Sequence, residues 1–280
     1  MGNNRYFIKD GKIYFRNEFG EESQIEITGI NQNYVVECIY KIMDNLFVAY
    51  LGIYKVFLNS NGEVILPFSE KCTSFLTLND DTRISVKRLV GKASFENINR
   101  PVEIYKYGLY DIINKKWLVK PEEGYQIIHG FNSGYAAVTT CNNSQNNYAG
   151  WIDINGKVLC LEHSLAGNFT EIGIATFLNH DGSFGIIDTE GKKSFLSLPT
   201  NFGWPNLGLE FHKINNIICS YALMNDLVWV LIDINGKLIY IAPKNHYIKW
   251  DKESKKYYDL CDHKDKNGMV LSVEKKIIKI

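Results

Sequence analysis

Apolar and polar residues alternate along this chain in short runs broken by turn-forming residues, which is the period of strands and not of helices. The clearest runs share one order: an aromatic or small residue, in most copies beside glycine, then apolar residues, aspartate, spacers, glycine or asparagine, and lysine. It is read in Tyr107-Gly108-Leu109-Tyr110-Asp111 with Asn114-Lys115, and in Gly150-Trp151-Ile152-Asp153 with Gly156-Lys157. Phe184-Gly185-Ile186-Ile187-Asp188 with Gly191-Lys192 and Trp229-Val230-Leu231-Ile232-Asp233 with Gly236-Lys237 continue the series. Looser copies end in Asn61-Gly62-Glu63 and Asp10-Gly11-Lys12. Self-similarity of this kind marks a repeat architecture.

Each copy predicts a β-hairpin. Asn155-Gly156 and Asn235-Gly236 supply residues that tolerate positive φ, and the aspartate three residues before each glycine can accept hydrogen bonds from turn amides. The recurrent carboxylates Asp111, Asp153, Asp188 and Asp233 are therefore expected to make turns and not to gather around a cation.

A run of small residues precedes most hairpins, as in Gly134-Tyr135-Ala136-Ala137-Val138 and Gly173-Ile174-Ala175-Thr176-Phe177. Small side chains permit close packing, so this run is expected to be the innermost strand of each unit. Turn anchors at 11, 62, 114, 156, 191 and 236 lie 51, 52, 42, 35 and 45 residues apart. A four-stranded propeller blade takes about 40–50 residues and a solenoid coil about 20–30. The spacing predicts an all-β, six-bladed propeller, with an open β-solenoid or a sandwich of hairpins as the alternative. The first hairpin, residues 5–15, has no small-residue strand before it, and Gly268-Met269-Val270-Leu271-Ser272-Val273 is expected to supply that strand from the other terminus. Such pairing would remove an exposed sheet edge.

These motifs resemble the WG β-repeat family, whose units pair the aromatic–Gly…Asp–x–x–Gly–Lys hairpin with a following Phe–x–x–Gly–x–Ala–x–Val stretch. The matching stretches are Phe131-Asn132-Ser133-Gly134-Tyr135-Ala136-Ala137-Val138 and Phe169-Thr170-Glu171-Ile172-Gly173-Ile174-Ala175, and the resemblance is clearest over residues 105–195. No literal Trp-Gly pair occurs, since Trp151 follows its glycine and other copies use Tyr107 or Phe184. The resemblance implies a bacterial, non-enzymatic protein-binding scaffold, most concretely a neutralising partner of a secreted toxin. It implies no catalytic residue.

With 280 residues and 45% apolar content the chain can bury a large core, and residues 1–280 are expected to form one domain. Thirty-one basic residues balance 31 acidic ones, so no net field attracts a polyanion and nucleic acid is not an expected partner. The start lacks an apolar signal core, and no apolar stretch approaches the roughly 20 residues that span a bilayer, which predicts a cytoplasmic protein with no membrane partner. Cys38, Cys72, Cys141, Cys160, Cys219 and Cys261 are scattered and read as free thiols.

Cys160-Leu161-Glu162-His163 and Cys261-Asp262-His263 carry ligand types at short spacing, but neither has the second pair that a closed zinc motif needs. No nucleophile elbow, phosphate loop or His-Glu-x-x-His helix is present. The sequence thus predicts no metal, no cofactor and no enzymatic activity, with a propeller hydrolase or lyase, or a small-ligand or glycan binder, as alternatives. Partner-binding residues are expected where aromatics interrupt the repeat: Phe202 and Trp204 in one connection, and Trp250, Tyr257 and Tyr258 among mixed charges.

Overall fold

The computed structural model describes all residues except 1–5, 28–34, 95–99, 141–146, 197–210, 225–227, 265 and 268. Among them there is no α-helix, and the strands form seven small sheets. Among the described residues the neighbouring strands pair antiparallel, and each sheet is a meander whose spatial order follows the chain. The chain divides into two compact units, Met1–Gly130 and Phe131–Ile280.

The first unit carries three sheets. Tyr6–Lys9, Lys12–Arg16 and Glu22–Gln24 form the first, and Cys38–Met43, Leu46–Leu51, Tyr54–Asn59 and Val64–Leu66 the second. The third contains Ser74–Thr77, Arg83–Ala93, Val102–Asp111 and Lys116–Val119. Strand alternation explains how they pack. Leu46, Val48 and Phe57 point to one side of the second sheet and join Ile84, Val86 and Tyr110 of the third, while Ala49, Leu51, Val56 and Leu58 point to the other and join Tyr6, Ile13 and Phe15 of the first. The middle sheet is apolar on both faces because it has a neighbour on both.

The second unit repeats this arrangement. Tyr135–Thr139, Ala149–Asp153 and Val158–His163 pair in order, followed by the sheet Leu165–Ala166, Ile174–Leu178, Phe184–Asp188 and Lys193–Phe195. Next come His212–Ile214, Ile217–Leu223, Trp229–Asp233 and Leu238–Ile241, then His246–Asp251, Lys256–Lys264 and Val270–Ile277. Trp151 and Ala137 pack on Ala175, Phe177 and Ile187. On the opposite face of that second sheet, Ile174, Phe184 and Ile186 meet Ala222, Val230 and Ile232. Cys219 and Leu231 then face Ile248 and Tyr257.

The turns are built as their sequence predicts. Asp153 Oδ1 accepts from the amides of Asn155 and Lys157 at 2.8 and 2.9 Å, and Asp233 Oδ1 from those of Asn235 and Lys237 at 2.9 and 2.8 Å. Asp188 does the same with Glu190 and Lys192, and Asp111 with Ile113 and Asn114. Gly156 takes φ +81°, a conformation that a β-branched residue adopts only under strain.

Three expectations about the sheets need correction. The small-residue strand is not the innermost one: a further strand precedes it in the second unit's full sheets, as short as Leu165–Ala166. Six units become seven, because Tyr247-Ile248-Lys249-Trp250-Asp251 with Lys255-Lys256 is another copy of the hairpin, with Asp251 Oδ1 accepting from Glu253 and Ser254. Its Lys255 has φ +50°, matching φ +51° at Lys115 in the Asp111 copy. Finally, Val270–Ile277 pairs with Lys256–Lys264 in its own sheet, while Tyr6–Lys9 pairs with Lys12–Arg16, so the described strands show no pairing of the two termini. The first sheet's counterpart of the repeat turn lies at Asn17, whose Oδ1 accepts from Phe19 and Glu21, and not at Asp10-Gly11.

Candidate functional site

The aromatic residues expected to bind a partner fall in different environments. Phe202 and Trp204 lie outside the described residues. Tyr257 is fully buried and its hydroxyl donates to the Cys219 carbonyl at 2.9 Å, so no partner can reach it. Its place in the hairpin is that of Trp117 in the Asp111 copy, an inward-facing position. Trp250 stacks on His212 with centroids 4.2 Å apart and planes 8° apart, which occupies one face of the indole as a stacking platform. Tyr258 is half-buried, with the Lys275 ammonium 3.7 Å from its ring centroid.

Chemistry-bearing side chains converge instead on the outer strand Val158–His163. In a regular strand residues i and i+3 lie on opposite faces. Here Cys160 lies opposite Trp151 and Leu161 opposite Gly150, yet His163 lies opposite Ala149, so Glu162 is an extra residue in a bulge. The bulge returns the His163 side chain to the Cys160 face. Gly150 makes this possible: a Cβ there would stand 1.8 Å from the Cys160 carbonyl oxygen.

The resulting contact is close, with Cys160 Sγ 3.3 Å from His163 Nε2. On the other side of the ring, His163 Nδ1 lies 2.6 Å from Asn179 Oδ1. Asn179 Nδ2 donates to Ser183 Oγ at 2.9 Å, and Ser183 Oγ donates to Asp181 Oδ1 at 2.6 Å. This chain sets the amide orientation and leaves Nδ1 as the protonated ring nitrogen, with the Nε2 lone pair facing the thiol. His163 is buried, stacked on Phe177 at 4.2 Å and edge-on to Trp151 at 5.6 Å, so the ring has little freedom.

Charge completes the corner. Lys193, from the neighbouring sheet, hydrogen-bonds Glu162 and holds its carboxyl below the usual range. Burial pushes the Cys160 thiol up, against the pull of Lys193. Burial likewise lowers His163, so its imidazole is neutral near pH 7. A Cys–His–Asn arrangement has the connectivity of a nucleophilic triad, but a reactive cysteine needs a depressed thiol pKa and this one is raised. Among the described residues, Cys160, Glu162 and His163 form a group whose ligand atoms lie within 4.8 Å of one another. Cys261-Asp262-His263 does not join it: Asp262 accepts from Tyr247 at 3.1 Å and His263 faces Glu274 at 3.6 Å.

Sequence reasoning marks Cys160 to His163 but not Asn179 or Lys193. The signal for Asn179 is the turn Asn179-His180-Asp181-Gly182-Ser183, with Gly182 at φ +83°.

No family model matches the chain, and no curated protein sequence matches it. Among solved structures it is similar to a eukaryotic initiation factor, at 9% identity over 97% of this chain and 84% of that one, with a TM-score of 0.35. It is also similar to a prolyl endopeptidase, at 10% identity over 92% and 44% with a TM-score of 0.41. TolB from Acinetobacter baumannii follows, at 12% identity over 81% and 58% with a TM-score of 0.31. The chain spans less than half of the endopeptidase, and likenesses this distant carry no functional argument. No helix among the described residues is long and apolar enough to cross a membrane.

Proposed function

We propose that this chain is a non-enzymatic protein-binding β-repeat scaffold whose seven sheets act as the blades of a propeller. The most concrete form of this reading is a bacterial neutralising partner of a secreted toxin, which rests on the motif resemblance. One observation supports binding most strongly. Val270–Ile277 stands at the edge of its sheet with all eight residues exposed, among them Leu271 at 70% and Val273 at 48%. An edge strand offers a row of backbone donors and acceptors, and alternate apolar side chains on it give a partner strand something to read. The recurrent aspartates support the same reading, since the turns already use their oxygens.

The test is calorimetric titration of the purified chain with a secreted effector encoded beside it. A one-to-one complex that Leu271→Lys and Val273→Lys each weaken by about tenfold or more is the expected result, since about 1.4 kcal/mol is a factor of ten. Binding unaffected by both changes would refute the edge as the docking strand. Absence of any complex would refute the toxin-neutralising form.

A further inference from the structure

The Val158–His163 corner has features that protein binding does not require. The His163 Nε2 atom of a buried imidazole faces the Cys160 thiol, its other ring nitrogen lies against an oriented amide, and the Glu162 carboxylate is within reach. Thiolate, imidazole and carboxylate together suit zinc, a borderline-soft ion that takes sulfur, nitrogen and oxygen ligands. In a tetrahedral zinc site, bond lengths of about 2.3 Å to sulfur and about 2.0 Å to nitrogen place those two ligand atoms about 3.5 Å apart. The observed separation of 3.3 Å is close to that value without movement of either strand.

We propose that Cys160 Sγ, His163 Nε2 and the Glu162 carboxylate form a three-ligand site for a zinc ion, with Asn179 as the positioning residue for the imidazole. On binding, the S–H bond breaks, sulfur keeps the electron pair and donates it to the metal, and the thiol proton leaves to solvent. Glu162 exchanges the Lys193 ammonium for the ion, and the fourth position is left for water. The Asn179–Ser183–Asp181 chain plays the part that outer-shell partners play around metal-bound histidines: it fixes the tautomer that presents Nε2. The bulge at Glu162 brings all three ligands from four consecutive residues of one strand.

The experiment titrates the tag-free 280-residue chain with Co²⁺ as a spectroscopic probe and then with Zn²⁺ in competition. One equivalent of cobalt should give a near-ultraviolet thiolate charge-transfer band that zinc abolishes. Cys160→Ser should lose the band. Glu162→Gln alters an exposed side chain and should fold normally while binding more weakly. Asn179→Ala should lower affinity by about 10–100-fold, the usual cost of losing an outer-shell partner, and leave the band shape unchanged. No thiolate band in the natural protein, or a band that persists in Cys160→Ser, would overturn the proposal. So would full affinity in Glu162→Gln together with Asn179→Ala.

Discussion

Two hairpins of the second unit share six consecutive residues, Ile-Asp-Ile-Asn-Gly-Lys, at 152–157 and 232–237, and their turns are nearly superimposable in their bonding. Each aspartate accepts the same two amides, and Gly156 and Gly236 have φ of +81° and +82°. Both outer strands shift register at the same place, between Trp151 and Ile152 in one and between Leu231 and Ile232 in the other. Beyond that point they part. Where the first hairpin has Gly150, the second has the buried Val230. Of these two hairpins, the one with Gly150 lets its outer strand approach closely enough for a second bulge, and that strand is the one that gathers a thiol, an imidazole and a carboxylate. The second puts Tyr240 at the position of Cys160 and ties its hydroxyl to the buried Asp259, which also receives His246 Nδ1 at 2.8 Å. The turn thus defines the architecture, and the residue facing the outer strand decides what that architecture carries.

The largest expected effect comes from closing the bulge. Gly150→Val places a side chain against the Cys160 carbonyl, and overpacking at a site that cannot relax should destabilise the protein by about 3 kcal/mol or more. A shift of the denaturant midpoint much smaller than this would mean that the outer strand is not held in the bulged register.

The matched turns give the next test. Gly156→Val and Gly236→Val should each cost about 1–3 kcal/mol, and by similar amounts, because both glycines sit in the same left-handed conformation. Unequal losses in chemical denaturation would show that the two turns are not equivalent in energy.

The Asp–x–x–Gly hairpins were legible because turn chemistry is local: an aspartate, its two amide donors and a residue at positive φ lie within five positions. The last copy, at Asp251, is hidden in the sequence because it lacks both glycines at once: Ile248 stands where most copies have the first, and Lys255 takes the left-handed position. Leading strands such as Leu165–Ala166 are too short to show a period, so in the sequence the small-residue strand reads as the first of its sheet. Partner strands are a matter of register and not of composition, which is why Val270–Ile277 could be recognised as a strand but not assigned to Lys256–Lys264. At the site, Cys160 and His163 were visible as residue types. The bulge that puts them on one face depends on a glycine in the adjacent strand, and Asn179 and Lys193 arrive from the next sheet.

A smaller effect should appear with pH. Burial lowers both His163 and His129, so the unfolded chain binds protons more readily than the folded one below the ordinary histidine value of about 6.5. Their contribution to stability is complete above that value and is lost as pH falls through it. The urea midpoint should therefore decline below about pH 6.5, less steeply in His163→Gln, in which the His129 part remains. An identical decline in the variant would place the imidazole in solvent. Smallest of all, Asp153→Asn should change stability by no more than about 0.5 kcal/mol, because the amide oxygen still accepts both turn bonds. A loss of partner binding in that variant at unchanged stability would make the turn functional after all.

The central claim is that the Gly150 bulge delivers His163 to Cys160 in one fixed protonation state, and nitrogen-15 NMR of the His163 ring tests it most directly. The predicted spectrum at pH 7 is that of a neutral imidazole protonated at Nδ1, with a bare Nε2 beside the thiol. An imidazolium, an Nε2-protonated ring or a mixture averaging between tautomers would contradict the account.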